Sequence, residues 1–253
     1  MLDLEEALRS LTAGVSRLAC ELTALEEADG RVLAEDVHAP RPIPEFDYSA
    51  MDGFALCTRD FFGGGPWLFP VKGESRTGGR PPVLEPSSVC RIFTGAELPA
   101  GADCVVPQEV VRHEAGVAHF ACLPEPGANV RRRGEDLEQG SRVLGAGTRL
   151  GPSQLALVAA LDRREVLVAQ RPRVAIVCTG DELRAPGAPA RPGTIPESNS
   201  VALAALCRQA GARVTRSTRV GDRLDDVVRA FEEALRDADL LLSVGGASVG
   251  DYD

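Results

Sequence analysis

Oxygen-bearing side chains sit beside glycines at the ends of two apolar runs in this sequence. Thr179-Gly180-Asp181-Glu182 follows Val174-Ala175-Ile176-Val177-Cys178, and Gly245-Gly246-Ala247-Ser248-Val249-Gly250-Asp251-Tyr252-Asp253 follows Leu240-Leu241-Leu242-Ser243-Val244. A glycine-rich turn after a buried strand presents backbone N–H groups to a phosphate, and neighbouring carboxylates attract a hard cation. Mg2+ suits such a place, because it takes one or two carboxylates and completes its shell with water and phosphate. The Asp181-Glu182 pair has a second reading, as the first turn of a helix whose dipole the acids complement by about 0.3–1 kcal/mol each. Gly246-Ala247-Ser248-Val249-Gly250 also spells G-x-S-x-G, the nucleophile elbow of α/β hydrolases. That chemistry needs a later acid and histidine, neither of which follows Asp253 in this sequence, so a phosphate-cradling turn is the preferred reading.

Two earlier segments carry further candidates. Arg131-Arg132-Arg133-Gly134-Glu135-Asp136 reads either as an anion clamp, with Asp136 holding a metal or a ring nitrogen, or as a solvated charged face. Asp47-Tyr48-Ser49-Ala50-Met51-Asp52-Gly53-Phe54 mixes polar and apolar residues at the entrance to a strand, and by spacing alone is a turn.

Composition narrows the chemistry. The net charge of −9 argues against nonspecific nucleic-acid binding. Lys72 is the single lysine among 28 basic residues, so an anionic ligand is expected to need a bridging cation. The seven cysteines stand singly, without a C-x-x-C pair, and the three histidines lack metal-ligand spacing. A Cys/His zinc site is therefore not expected; any metal should be held by oxygen, and the thiols should be reduced packing residues. No apolar run approaches the roughly 20 residues that span a bilayer, and the acidic start Met1-Leu2-Asp3-Leu4-Glu5-Glu6 is unlike a signal peptide. The expected location is the cytoplasm, with neither membrane nor nucleic acid as a partner.

The elements that must position these residues change character along the chain. Leu4, Ala7, Leu8 and Leu11 fall at helical spacing, a second segment is interrupted at Gly30, and Pro40, Pro42 and Pro44 force an extended exit. From about 45 to 135 short β-rich runs alternate with Gly and Pro: Phe54 to Thr58, Trp67 to Val71, Val89 to Phe93, Cys104 to Val111, and Val117 to Leu123. Ser153 to Leu161 is helical again. The expectation is a discontinuous helical domain, 1–44 with 136–170, interrupted by an all-β unit at 45–135. From 171 the order is strand 174–178, helix Ser200 to Ala210 closed by Gly211, strand Val214 to Thr218, helix after an Asp222 N-cap, and strand 240–244. That order predicts a parallel sheet with right-handed crossovers. The multidomain α/β plus all-β chain thus places both glycine-bearing loops on one sheet edge.

Together these segments resemble the molybdopterin molybdenumtransferase family, known as MoeA and, in animals, as the E domain of gephyrin. The resemblance rests on Asp47 to Ala55; Phe93-Thr94-Gly95-Ala96 with Leu98-Pro99-Ala100-Gly101-Ala102-Asp103; Arg131 to Asp136; Thr179 to Leu183; Glu197-Ser198-Asn199-Ser200; and Gly245 to Asp253, all in the family's order. It implies an enzyme that takes adenylylated molybdopterin and molybdate, cleaves the pyrophosphate link with Mg2+, and yields molybdenum cofactor and AMP. It further implies a homodimer, a fused or separate molybdopterin adenylyltransferase as source of substrate, and a sheet domain of the three-layer molybdopterin-binding kind. Carried over by motif, Asp52, Thr94, Asp136, Glu182, Asp222 and Asp253 are the expected catalytic residues, with Asp52 and Glu182 as metal ligands. Thr179, Gly180, Asp181, Ser198, Asn199, Gly245, Gly246, Ser248 and Gly250 are the expected substrate-binding residues. The sequence departs from the family pattern at Tyr48, usually Asn, and Phe54, usually Tyr. The family's lysine pair, the rest of its sheet and a C-terminal β domain are expected beyond residue 253, which leaves a noncatalytic molybdopterin-binding or scaffolding remnant as the alternative. The glycine-rich sheet domain also resembles CinA-type proteins, but the segments 47–55 and 131–136 favour the molybdenum family.

Overall fold

The run Arg173–Thr179 is buried at nearly every position, and in the computed structural model, which describes residues 3–246, it is the central strand of a three-stranded parallel sheet. Arg213–Val220 and Leu240–Val244 flank it, both parallel to it. Alternate side chains of the central strand serve opposite faces. Val174, Ile176 and Cys178 pack with Ala204 of the helix Asn199–Gln209, while Ala175 and Val177 pack with Ala230 and Ala234 of the helix Leu224–Leu235. A strand covered on both faces needs this continuous apolarity.

The helix Asn199–Gln209 ends with Gly211 at φ +95°, past the Ala210 cap, as the sequence suggests. The helix after the second strand differs from expectation: its N-cap is Arg223, without a side-chain cap bond, and Asp222 turns elsewhere. The loop after the central strand also enters no helix. It leads into the short strand Leu183–Arg184, which pairs in parallel with Ile195–Pro196. The helix-dipole reading of Asp181 and Glu182 therefore does not apply.

By its internal packing the chain forms two compact units, one of Met1–Asp36 with Leu144–Asp253 and one of Val37–Val143. These bounds differ from the expected 1–44 with 136–170, 45–135 and 171–253. Backbone bonds explain where the second unit closes. Ala39 donates to Ser141 O at 3.0 Å and Ile43 to Leu137 O at 2.8 Å, so its entering and leaving segments are zipped together.

In the first unit, helix Leu4–Ala13 begins with an Asp3/Glu6 capping box and helix Pro152–Ala160 with proline in its first turn. The segment before Gly30 is a strand, Cys20–Ala24, antiparallel to Glu165–Ala169. Sequence periodicity misses it because only Thr23 of the five is buried. The second unit is built on a six-stranded sheet in the order Cys104–Pro107, Gly53–Leu56, Val89–Ile92, Trp67–Ser75, Val117–Phe120, Arg112–Glu114. Phe54, Phe61, Phe69 and Phe120 form its core, with Phe61 and Phe69 ring centres 4.8 Å apart. No described helix is long and apolar enough to cross a membrane.

Candidate functional site

The carboxyl ends of the parallel strands bring the first group of candidates together. Thr179 pairs with Val220 and Cys178 with Val244, so the loops at 180–182, 221–222 and 245–246 leave from one edge. Asp181 and Asp222 lock two of them reciprocally. The Asp181 amide donates to Asp222 Oδ2 at 3.1 Å, and the Asp222 amide donates to Asp181 Oδ1 at 3.3 Å. Both side chains remain exposed, and each uses one oxygen in this exchange. The Glu182 carboxylate lies against Gly180, in the space a Cβ would fill. Gly245 abuts Thr179, whose hydroxyl donates to Val244 O at 3.4 Å. The result is an exposed acidic edge backed by glycines, suited chemically to a hard cation and a phosphate.

Beneath that edge Glu197 is buried, with 5% of its surface exposed. It accepts from the Ser200 amide at 2.7 Å and the Ser200 hydroxyl at 2.5 Å at the start of the helix Asn199–Gln209. Burial pushes its carboxyl up, but the Ser200 hydroxyl and amide, the Cys178 thiol and the Asn199 amide outweigh that and hold it below the usual glutamate range. Cys178 is pushed up to about 11 by burial and by Glu197. Ser198 and Asn199, singled out as substrate contacts, are exposed beside this cap. The capping carboxylate is Glu197, which sequence analysis quoted in its motif but gave no role.

In the second unit the strand Gly53–Leu56 and the turn after Val89–Ile92 bring Asp52 to Thr94. The Thr94 amide and hydroxyl each donate to Asp52 Oδ1 at 2.8 Å. These two bonds hold the Asp52 carboxyl below the usual aspartate range, with a further lowering from the positive charge of Arg91. The arginine run is neither a free anion clamp nor merely a solvated face. Arg131 pairs with Asp136 and lies 3.5 Å from Glu135; Arg132 pairs with Asp47 at 2.7 Å, and the Arg133 amide donates to Asp47 at 2.8 Å. Asp136 is thus engaged by Arg131. Burial raises the Asp47 carboxyl, but the Arg133 amide and the Arg132 guanidinium more than offset it, so it is held low. Asp47, and Arg91 beside Asp52, are site-region residues to which sequence analysis assigned no role.

Residues 2–161 match the family model described as MoeA N-terminal region (domain I and II). The chain belongs to the MoeA family. Residues 175–253 match a second model, described as a probable molybdopterin binding domain. The chain is similar to a protein of Mycobacterium tuberculosis named molybdopterin molybdenumtransferase 2, with 41% identity over 236 residues, 90% of this chain and 58% of that one. A protein of Nostoc named molybdopterin molybdenumtransferase is 39% identical over 237 residues, 92% of this chain and 54% of that protein. The crystal structure of the molybdopterin biosynthesis MoeA protein of Pyrococcus horikoshii superposes with a TM-score of 0.89 at 30% identity, covering 97% of this chain and 66% of that one. The chain thus spans a little over half the length of these curated relatives.

Within this MoeA-family chain the six motifs fall into two settings. Asp52, Thr94 and Asp136 lie in the second unit; Thr179, Gly180, Asp181, Glu182, Ser198, Asn199, Asp222, Gly245 and Gly246 lie in the first. Ser248, Gly250 and Asp253 fall outside the described residues, and with them the test of the G-x-S-x-G segment. Among the described residues no three His, Cys, Asp or Glu side chains assemble into a metal cluster. The donors nevertheless fit Mg2+ in kind: Asp181, Glu182 and Asp222 are exposed oxygen ligands, and Mg2+ needs only one or two carboxylates.

Proposed function

We propose that the whole protein is a molybdopterin molybdenumtransferase, which takes adenylylated molybdopterin and molybdate, cleaves the pyrophosphate link, and releases molybdenum cofactor and AMP. The observation that carries this reading is the convergence of Thr179, Gly180, Asp181, Glu182, Asp222 and Gly245 on one sheet edge, in a chain whose relatives bear that name. Bound Mg2+ would supply charge neutralisation on the diphosphate, with Glu182 a candidate protein ligand in the first unit and Asp52, in the second, a candidate carried over by motif alone. The chain's own residues supply the rest. The Gly245 and Gly246 amides would offer N–H groups to phosphate, the Asp181–Asp222 lock keeps two loops in register, and Thr94 fixes the Asp52 carboxylate in its ionised form. Asp136, held by Arg131, is proposed to act through that pair. A homodimer in the cytoplasm, supplied by a molybdopterin adenylyltransferase, completes the proposal.

The test is AMP release by the full-length protein. Asp52→Ala and Glu182→Ala are expected to reduce Mg2+-dependent, molybdate-stimulated release at least about 100-fold, while the oligomer stays folded. Near wild-type turnover in either variant overturns the role given to that residue. Binding of adenylylated molybdopterin without any AMP release by the wild-type full-length protein would replace the transferase reading with a binding role.

A further inference from the structure

Arg91 lies on the strand Val89–Ile92, directly across from Phe54 in the antiparallel register. Its guanidinium carbon is 5.1 Å from the Phe54 ring centre and 5.3 Å from that of Phe93. One terminal nitrogen donates to Gln108 Oε1 and the other to the Gly53 carbonyl at 3.4 Å. The Gln108 amide in turn donates to the Asp52 carbonyl at 3.0 Å. Phe54 stands two residues after Asp52, and Phe93 immediately precedes Thr94. One side chain therefore touches both segments whose meeting creates the Asp52–Thr94 pair. The other groups around it have their own partners. Glu74, opposite Arg91 on the next strand, pairs with Arg76, and His113 packs edge-on against Phe54 at 5.5 Å. Together with Arg91 and Gln108 they line a cavity of about 600 Å³.

We propose that Arg91 is a positioning residue that holds Asp52 against Thr94, stacking against Phe54 and Phe93 while its edge anchors Gly53 and Gln108. A guanidinium is planar, so it stacks and donates along its edge at once, which a lysine ammonium cannot do. The consequence for turnover rests on the role proposed above for Asp52; the consequence for the pair's geometry does not.

Two readouts separate these. In Arg91→Met, followed by NMR, the Thr94 amide proton should shift upfield as its bond to Asp52 lengthens, and the Phe93 ring resonances should move with it. In the full-length protein, kcat for AMP release should fall about tenfold or more with KM within about twofold, as for loss of an interaction that matters in the transition state. Arg91→Lys keeps the charge and loses the planar stack. It should still shift the Thr94 amide and the Phe93 ring resonances and lower kcat; it carries the test if the methionine variant does not fold. A folded Arg91→Met, or Arg91→Lys in its place, with unchanged Thr94 amide and Phe93 resonances overturns the inference. If these resonances move but Asp52→Ala leaves turnover intact, the positioning role of Arg91 stands and the catalytic reading of Asp52 fails.

Discussion

Gly53→Ala should open the second unit at the strand that carries Asp52. Gly53 lies opposite Pro107 in the antiparallel ladder and is buried. A Cβ there would sit 2.9 Å from Val106 C and 3.1 Å from Pro107 Cα, and closer still to Val106 O. All three are backbone atoms, so no side chain can swing aside. Restoring ordinary contact requires the two strands to part by roughly 1 Å, a strain comparable to core overpacking at about 1–3 kcal/mol. Weakening a neighbouring ladder bond adds about 1 kcal/mol, giving a loss of roughly 2–4 kcal/mol. Trp67, the single tryptophan, packs in this unit against Phe61 at 5.5 Å, so its fluorescence in a urea titration reports the unit's unfolding. With a urea slope of about 1–2 kcal/mol per molar, the midpoint should fall by roughly 1–4 M. Gly64→Ala, where a Cβ meets nothing within 4 Å, serves as the control and should change stability by no more than about 0.5 kcal/mol. A Gly53→Ala midpoint indistinguishable from that of Gly64→Ala would refute the close-approach argument.

Three other outcomes follow from the described contacts. Thr94→Val removes the hydroxyl donor to Asp52 but keeps the amide, so the Asp52 carboxyl should titrate higher; the wild-type contribution is present above the unfolded aspartate value near about 3.9 and fades as pH falls through the lower folded value, which an acid-unfolding comparison of the two proteins would show. Glu197→Ala leaves the Ser200 amide and hydroxyl without their buried acceptor and should cost about 1–3 kcal/mol in thermal or urea unfolding, a penalty that shrinks in acid as the wild-type glutamate protonates; a cost below about 0.5 kcal/mol would count against its capping role. In native protein at pH 8, Cys20 and Cys122 should react with a thiol reagent first, while Cys90, Cys104 and Cys178, each raised to about 11 by burial, should react at least about tenfold more slowly, and equal rates for all would contradict their burial.

The sequence by itself determined the elements whose pattern is repeated and local. Val174 to Cys178 could only be a strand buried on both faces, Gly211 marked a helix end, and the Gly- and Pro-punctuated runs from Phe54 to Leu123 announced a β unit. Motif order announced the family, because six short segments in one order are far more specific than any one of them. Tertiary structure decided what each polar group faces. Asp222 looked like a helix cap and instead its carboxylate accepts from the Asp181 amide, 41 positions earlier, while its own amide donates to the Asp181 carboxylate, because parallel pairing brings the two strand ends side by side. Arg132 looked like part of an anion clamp and instead pairs with Asp47, 85 positions away. Arg91 had no sequence signal at all, since its significance comes from standing between Phe54 across the strand and Phe93 two residues on. Local pattern is set by backbone periodicity and is legible along the chain. Long-range charge pairing depends on strand register, which only the folded sheet fixes.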